Sequence, residues 1–60
     1  MYYLRIEQYG KVLAISKHKT VKEARANENA LANSPNVEIG YYDARLFRGN
    51  QEYDCWIGVR

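Results

Sequence analysis

Apolar and polar residues alternate from Tyr2 to Tyr9 and again from Lys11 to Lys17, the period of a half-buried strand. Gly10 lies between the two runs. A two-residue loop at Tyr9-Gly10, with Gly supplying a positive φ, sets Gln8 opposite Lys11, Ile6 opposite Leu13, Leu4 opposite Ile15 and Tyr2 opposite Lys17. The apolar pairs then share one face, as a consistent register requires. The other face carries Tyr3, Arg5, Glu7 and Tyr9 with Val12, Ala14 and Ser16.

The period then changes. Thr20 followed three residues later by Glu23 is a capping box and predicts a helix over 20–33. Asn33-Ser34-Pro35 ends it, because Asn tolerates a left-handed cap and Pro cannot continue a helix. At about 100° per residue, Val21, Ala24, Leu31 and Ala32 share a narrow face of mostly small residues. Glu28 falls in the middle of that face. It could snorkel past the sheet edge, pair with Arg25 or Lys22, or mark a partner contact; alternatively the helix turns its Ala26 and Ala30 side inward.

The second hairpin is expected over 36–60, with Gly49-Asn50 as a primed two-residue turn. Arg48 then faces Gln51, Leu46 faces Tyr53, Ala44 faces Cys55 and Tyr42 faces Ile57. On the opposite face Phe47 meets Glu52, Arg45 meets Asp54, Asp43 meets Trp56 and Tyr41 meets Gly58, and the Arg45–Asp54 pair is favourable. Val37 and Ile39 are out of phase with Tyr42, Ala44 and Leu46, so a bend or bulge is expected near Gly40.

These elements compose one α+β domain over 1–60, with a hairpin at 2–17, a helix at 20–33 and a hairpin at 36–60. The expected architecture is ββαββ, a four-stranded antiparallel sheet with one helix packed on one face. The covered face should hold Leu4, Ile6, Leu13, Ile15, Leu46, Cys55, Ile57 and Val59. The open face should carry Tyr3, Tyr9, Tyr41, Phe47 and Trp56 with Arg5, Arg45 and Arg60.

Composition narrows the possibilities further. Sixty residues allow one small domain, and a chain of this size buries only about 60% of its unfolded surface. One Cys excludes an internal disulfide, and one Cys with one His falls short of the four ligands of a structural zinc site. An oligomer or a partner is the remaining source of extra stability. Nine cations against seven acids leave a net charge of +2, too little to establish a polybasic nucleic-acid surface. No apolar run is long enough for a membrane span and no signal-peptide pattern opens the chain, so a cytoplasmic location is expected, the host cytoplasm if the protein is viral.

Candidate chemistry is sparse. Lys17-His18-Lys19, with Lys22, precedes the helix cap and could hold an anion or nucleic-acid phosphate; otherwise it is a solvated polar loop. Cys55 reads as a small buried hydrophobe, since Asp54 beside it would disfavour a thiolate. No phosphate loop, nucleophile elbow, CxxC or HExxH is present, and no motif requires a cofactor or metal, so no catalytic residue is assigned.

The aromatic and Arg residues of the open face are those that dominate protein interfaces. The expected function is a non-enzymatic protein-binding module acting through Tyr3, Arg5, Tyr9, Tyr41, Arg45, Phe47, Trp56 and Arg60. In size, Tyr-rich surface and lack of catalytic motifs the chain is similar in style to small accessory proteins of bacteriophages, which inhibit or modulate a host enzyme or defence complex. A nucleic-acid-binding protein using the same face or the Lys17/Lys19/Lys22 loop is the alternative. A homodimer with the open faces packed together is a third.

Overall fold

The computed structural model describes the whole chain, Met1–Arg60. Its elements are β1 (Tyr2–Gln8), β2 (Lys11–His18), α1 (Val21–Ala26), α2 (Glu28–Ala32), β3 (Tyr41–Arg48) and β4 (Gln51–Val59). The strands form one antiparallel sheet in the order β2-β1-β3-β4, and both short helices pack on the same face. The α+β class and the four-stranded sheet are as expected from the sequence.

Both loops form where the turn residues place them. Tyr9 and Gly10 have φ of 53° and 76°, the two positive values of a type I′ turn. Tyr at the first of these positions is unusual, since a side chain there crowds its own backbone at a cost of roughly 1–2 kcal/mol. Gly49 takes a φ of 61° at the other turn. Gly40, with a φ of 130°, makes the expected bend into β3, and its backbone exchanges hydrogen bonds with Arg60.

Beyond the turns, each second strand slips by one residue. β1 and β2 pair Gln8 with Lys11 and Glu7 with Val12, but then Ile6 with Ala14, Arg5 with Ile15 and Leu4 with Ser16. Leu13 is the extra residue of this bulge. β3 and β4 pair Phe47 with Glu52, then Leu46 with Asp54, Ala44 with Trp56 and Tyr42 with Gly58, so Tyr53 is the extra residue. A slip of one residue exchanges the two faces of a strand. Ile15, Cys55, Ile57 and Val59, expected in the core, therefore face outward and are exposed. Trp56 turns from the open face to the helix side. Both bulges lie on the edge strands, where they interrupt the backbone groups that another chain could pair with.

The core lies on the two central strands. Leu4 and Ile6 of β1 meet Leu46 and Ala44 of β3, and all four are fully buried with Tyr42, Ala24, Ala32 and Val37. Leu13, as expected, packs partly buried against this cluster.

The single helix expected over 20–33 is broken at Asn27. The Asn27 amide is shared between the carbonyls of Glu23 and Ala24, and its own carbonyl starts α2 by accepting from Leu31. The expected start is correct: the Thr20 hydroxyl accepts the Glu23 amide at 3.1 Å. The box is only half closed, because the Glu23 carboxylate turns to His18 instead. Helices this short depend on packing and caps. Thr20→Ala should therefore cost about 1 kcal/mol, read as a lower urea midpoint with an unchanged m-value.

Candidate functional site

The odd-numbered side chains of β1 point away from the helices, and Tyr3, Arg5 and Glu7 meet Phe47, Arg45 and Asp43 of β3 directly across the sheet. Two like-charged Arg residues opposite one another would repel. Carboxylates separate them. Glu7 accepts two hydrogen bonds from Arg5, at 2.7 and 3.0 Å, and lies 3.4 Å from the Arg45 guanidinium. Arg45 in turn donates to Glu52 at 2.7 Å. The hydrogen bond to Glu52, its charge and the charge of Glu7 push the Arg45 guanidinium further toward its charged form. The Arg5 guanidinium also stacks 4.2 Å from the Phe47 ring centre. Arg5, Glu7, Arg45 and Glu52 thus form one internally neutralised network at the centre of the open face.

Apolar residues surround this network. Ile15 is 58% exposed, Tyr41 77%, Ile57 69% and Val59 64%. Two shallow concavities flank the centre. One, of about 310 Å³, is lined by Glu7, Gln8, Tyr9, Tyr41, Tyr42, Asp43 and Ile57; the other, of about 280 Å³, by Tyr3, Arg5, Ile15, Phe47, Gly49 and Asn50. Of the predicted binding residues, Tyr3, Arg5, Tyr9, Tyr41, Arg45 and Phe47 are brought together here. Ile15, Ile57, Val59 and Cys55 join them, because the two bulges turn these residues outward from the core side that unbulged registers give them.

Trp56 and Arg60 do not belong to this face. The Arg60 guanidinium donates to the carbonyls of Ser34, at 3.0 Å, and Val37, and so clasps the loop after α2. Trp56 donates its indole N–H to Glu28 at 2.8 Å, and the Arg25 guanidinium lies 4.0 Å from its ring centre. Arg25 reaches Asp54 at 2.9 Å, so the expected Arg45–Asp54 pair is replaced by Arg45–Glu52 and Arg25–Asp54.

Glu28, the discordant residue of the helical face, is explained by this arrangement. Its carboxylate accepts the Tyr42 hydroxyl at 2.5 Å and the Trp56 indole at 2.8 Å. It pairs with neither Arg25 nor Lys22. Burial, together with the Glu28 hydrogen bond and charge, pushes the Tyr42 phenol up from 10.0 to about 12. Gln8, the other polar residue of this side, is 5% exposed and binds the loop before β3, donating to the carbonyls of Glu38 and Tyr41 and accepting the Glu38 amide.

The Lys17-His18-Lys19 segment is not an all-solvated loop, because His18 is only 8% exposed. Its Nδ1 lies 3.1 Å from Glu23 and its Nε2 lies 2.6 Å from the Ser16 hydroxyl. A carboxylate only accepts, which assigns the ring proton to Nδ1 and lets Nε2 accept from Ser16. Asn27 donates to the same hydroxyl at 3.3 Å. The chain Asn27–Ser16–His18–Glu23 ties edge strand β2 to α1 at the helix break. Lys17, Lys19 and Lys22 are exposed around it, and none of them has a carboxylate partner.

No family model, curated protein or solved structure matches the chain. No helix is long and apolar enough to cross a membrane, and no group of three His, Cys, Asp or Glu side chains is placed to hold a metal ion.

Proposed function

We propose that the chain is a small protein-binding module whose working surface is the open face of the sheet, with Tyr3, Arg5, Tyr41, Arg45 and Phe47 at its centre. The observation that carries this reading is the set of exposed apolar side chains on either side of a charge-compensated centre. Ile15, Tyr41, Ile57 and Val59, each more than half exposed, border two Arg side chains already held in place by Glu7, Glu52 and the Phe47 ring. Exposed apolar side chains gathered on one sheet face in this way are a feature of interaction sites. Prearranged Arg and aromatic side chains lose little freedom on binding, which favours affinity.

The same network favours a protein over a nucleic acid. Phosphate binding draws on uncompensated cations, and here both central Arg residues are neutralised by carboxylates. The reading is also non-enzymatic. Ser16, His18 and Glu23 stand in the order of a nucleophile, base and orienting acid, yet none of them lines either concavity, and the Ser16 hydroxyl is shared with Asn27. The role proposed for this binding face is that of an inhibitor or modulator of a larger enzyme or defence complex.

Phe47→Ala should weaken partner binding by more than about 1 kcal/mol while the fold persists. Calorimetry against a partner captured from the source cell, with circular dichroism on the variant, checks this. Unchanged affinity removes Phe47 from the surface. Binding of oligonucleotides with a steep salt dependence would support the nucleic-acid reading instead. Concentration-dependent sedimentation with no captured partner would support the homodimer.

A further inference from the structure

Resting on the reading of the open face as a protein-binding surface, we infer that the concavity between the first turn and the start of β3 is a receptor for a cationic side chain, lysine or arginine, of the partner. It is lined by Tyr9 and Tyr41, 86% and 77% exposed, with Asp43, Ile57, Glu7, Gln8 and Tyr42. Aromatic faces attract cations through their quadrupole, and a nearby carboxylate adds direct charge attraction.

Charge complementarity identifies the occupant. Three acids stand on the open face. Glu7 is held by Arg5 and Arg45, and Glu52 by Arg45. Asp43 alone has no counter-ion, although it sits directly opposite Glu7 on the neighbouring strand. Like charges at directly opposed positions repel. Glu7 has its own Arg partners, and neither of them lines this concavity, so Asp43 is the acid left without one. A cation seated in this concavity beside Tyr9 and Tyr41 would give Asp43 the counter-ion it lacks.

Tyr9 adds a separate observation. It occupies a left-handed turn position, at a φ of 53°, where Asn or Gly would be unstrained, and its ring is almost fully exposed. Packing within this chain gives no reason for a ring at that position. Contact with a partner gives one, since strained residues gather at ligand-binding sites.

The test is an NMR titration of the whole chain with N-acetyl-lysine methylamide, its arginine counterpart and the neutral norleucine analogue. The cationic probes should produce saturable shifts at Tyr9, Tyr41, Asp43 and Ile57, and norleucine none. Asp43→Asn should weaken the lysine probe about threefold, and Tyr9→Gly with Tyr41→Ala about tenfold, since each contact is individually modest. These three side chains are exposed, and Tyr9→Gly should also relax the turn, so the variants keep the fold. Equal binding of norleucine and lysine, or a lysine affinity indifferent to Asp43→Asn, overturns the inference. Partner binding that needs Phe47 while the lysine probe leaves these signals unmoved overturns this inference alone. Partner binding indifferent to Phe47→Ala overturns the open-face reading, whatever the probe does.

Discussion

Gly58→Ala is expected to destabilise the protein by about 2–3 kcal/mol, a large share of what a domain this small possesses. Gly58 lies opposite Tyr42 across the β3–β4 ladder, and a Cβ added there would overlap the Tyr42 ring at Cζ, Oη and Cε1. The ring has nowhere to retreat. It is 3% exposed, packed in the core, and held at its hydroxyl by Glu28. Relief would have to come from the backbone or from breaking that hydrogen bond. Urea unfolding measures the loss. A Tyr42→Leu background, which removes the overlapped atoms, should abolish most of the extra cost, so the double-mutant cycle should show coupling of about 1–2 kcal/mol. Additive effects would mean that the close approach is not what requires glycine at position 58.

Glu28→Ala should cost about 2 kcal/mol, and its alkaline unfolding should change as well. The substitution leaves the buried Tyr42 hydroxyl without its acceptor and frees the Trp56 indole, and an orphaned buried donor loses its full desolvation free energy. Glu28→Gln keeps an oxygen acceptor and should cost less. In the parent chain the Tyr42 phenol, raised from 10.0 to about 12, loses its proton more readily in the unfolded state. Stability is therefore independent of this group below about pH 10 and falls as pH rises from there toward 12, by on the order of 2 kcal/mol in total. Without Glu28, the hydrogen bond and the charge that hold the phenol protonated are gone and only burial remains. The alkaline decline of the variant should then be shallower and confined nearer to pH 10. An unchanged pH profile would separate Glu28 from Tyr42 in solution.

Trp56→Ala belongs with these two substitutions and not with the proposed binding face. Its indole sits under α2, against Glu28 and Arg25, so its loss should appear first as reduced stability. Phe47, on the opposite face of the sheet, is the aromatic whose removal tests binding.

Local chemistry decides much of this molecule. Alternation in Tyr2–Gln8 and Tyr41–Arg48 places the buried residues of both central strands correctly, because each of these strands has Leu or Ile on the inner side and Arg on the outer. Tyr9-Gly10 and Gly49-Asn50 locate both turns, since few residues accept a positive φ. Thr20 and Glu23 mark the start of α1 through a hydrogen bond only three residues long in sequence. From these elements the α+β class, the two hairpins and most of the aromatic and Arg open face follow.

The faces of the two edge strands were a tertiary decision. Hydrophobicity alone favours Ile15 and Ile57 inward, yet the helices present Glu23, Arg25, Asn27 and Glu28 to the sheet. The slipped register supplies each with a partner: His18, Asp54, Ser16 and, for Glu28, Trp56, which joins Tyr42 of the central strand β3. It also sets Ala14, Ser16 and Gly58 on the helix side. Glu28 was the one legible sign of this, a carboxylate in the middle of an apolar face whose acceptors demanded donors on the strands beneath. The break at Asn27 and the strand order had no local signal either. A sequence read strand by strand scores apolar burial, whereas the folded chain must also satisfy the half-buried polar groups that the helices bring to the sheet, Asn27 and Glu28 above all, and a buried polar group left without a partner is costly.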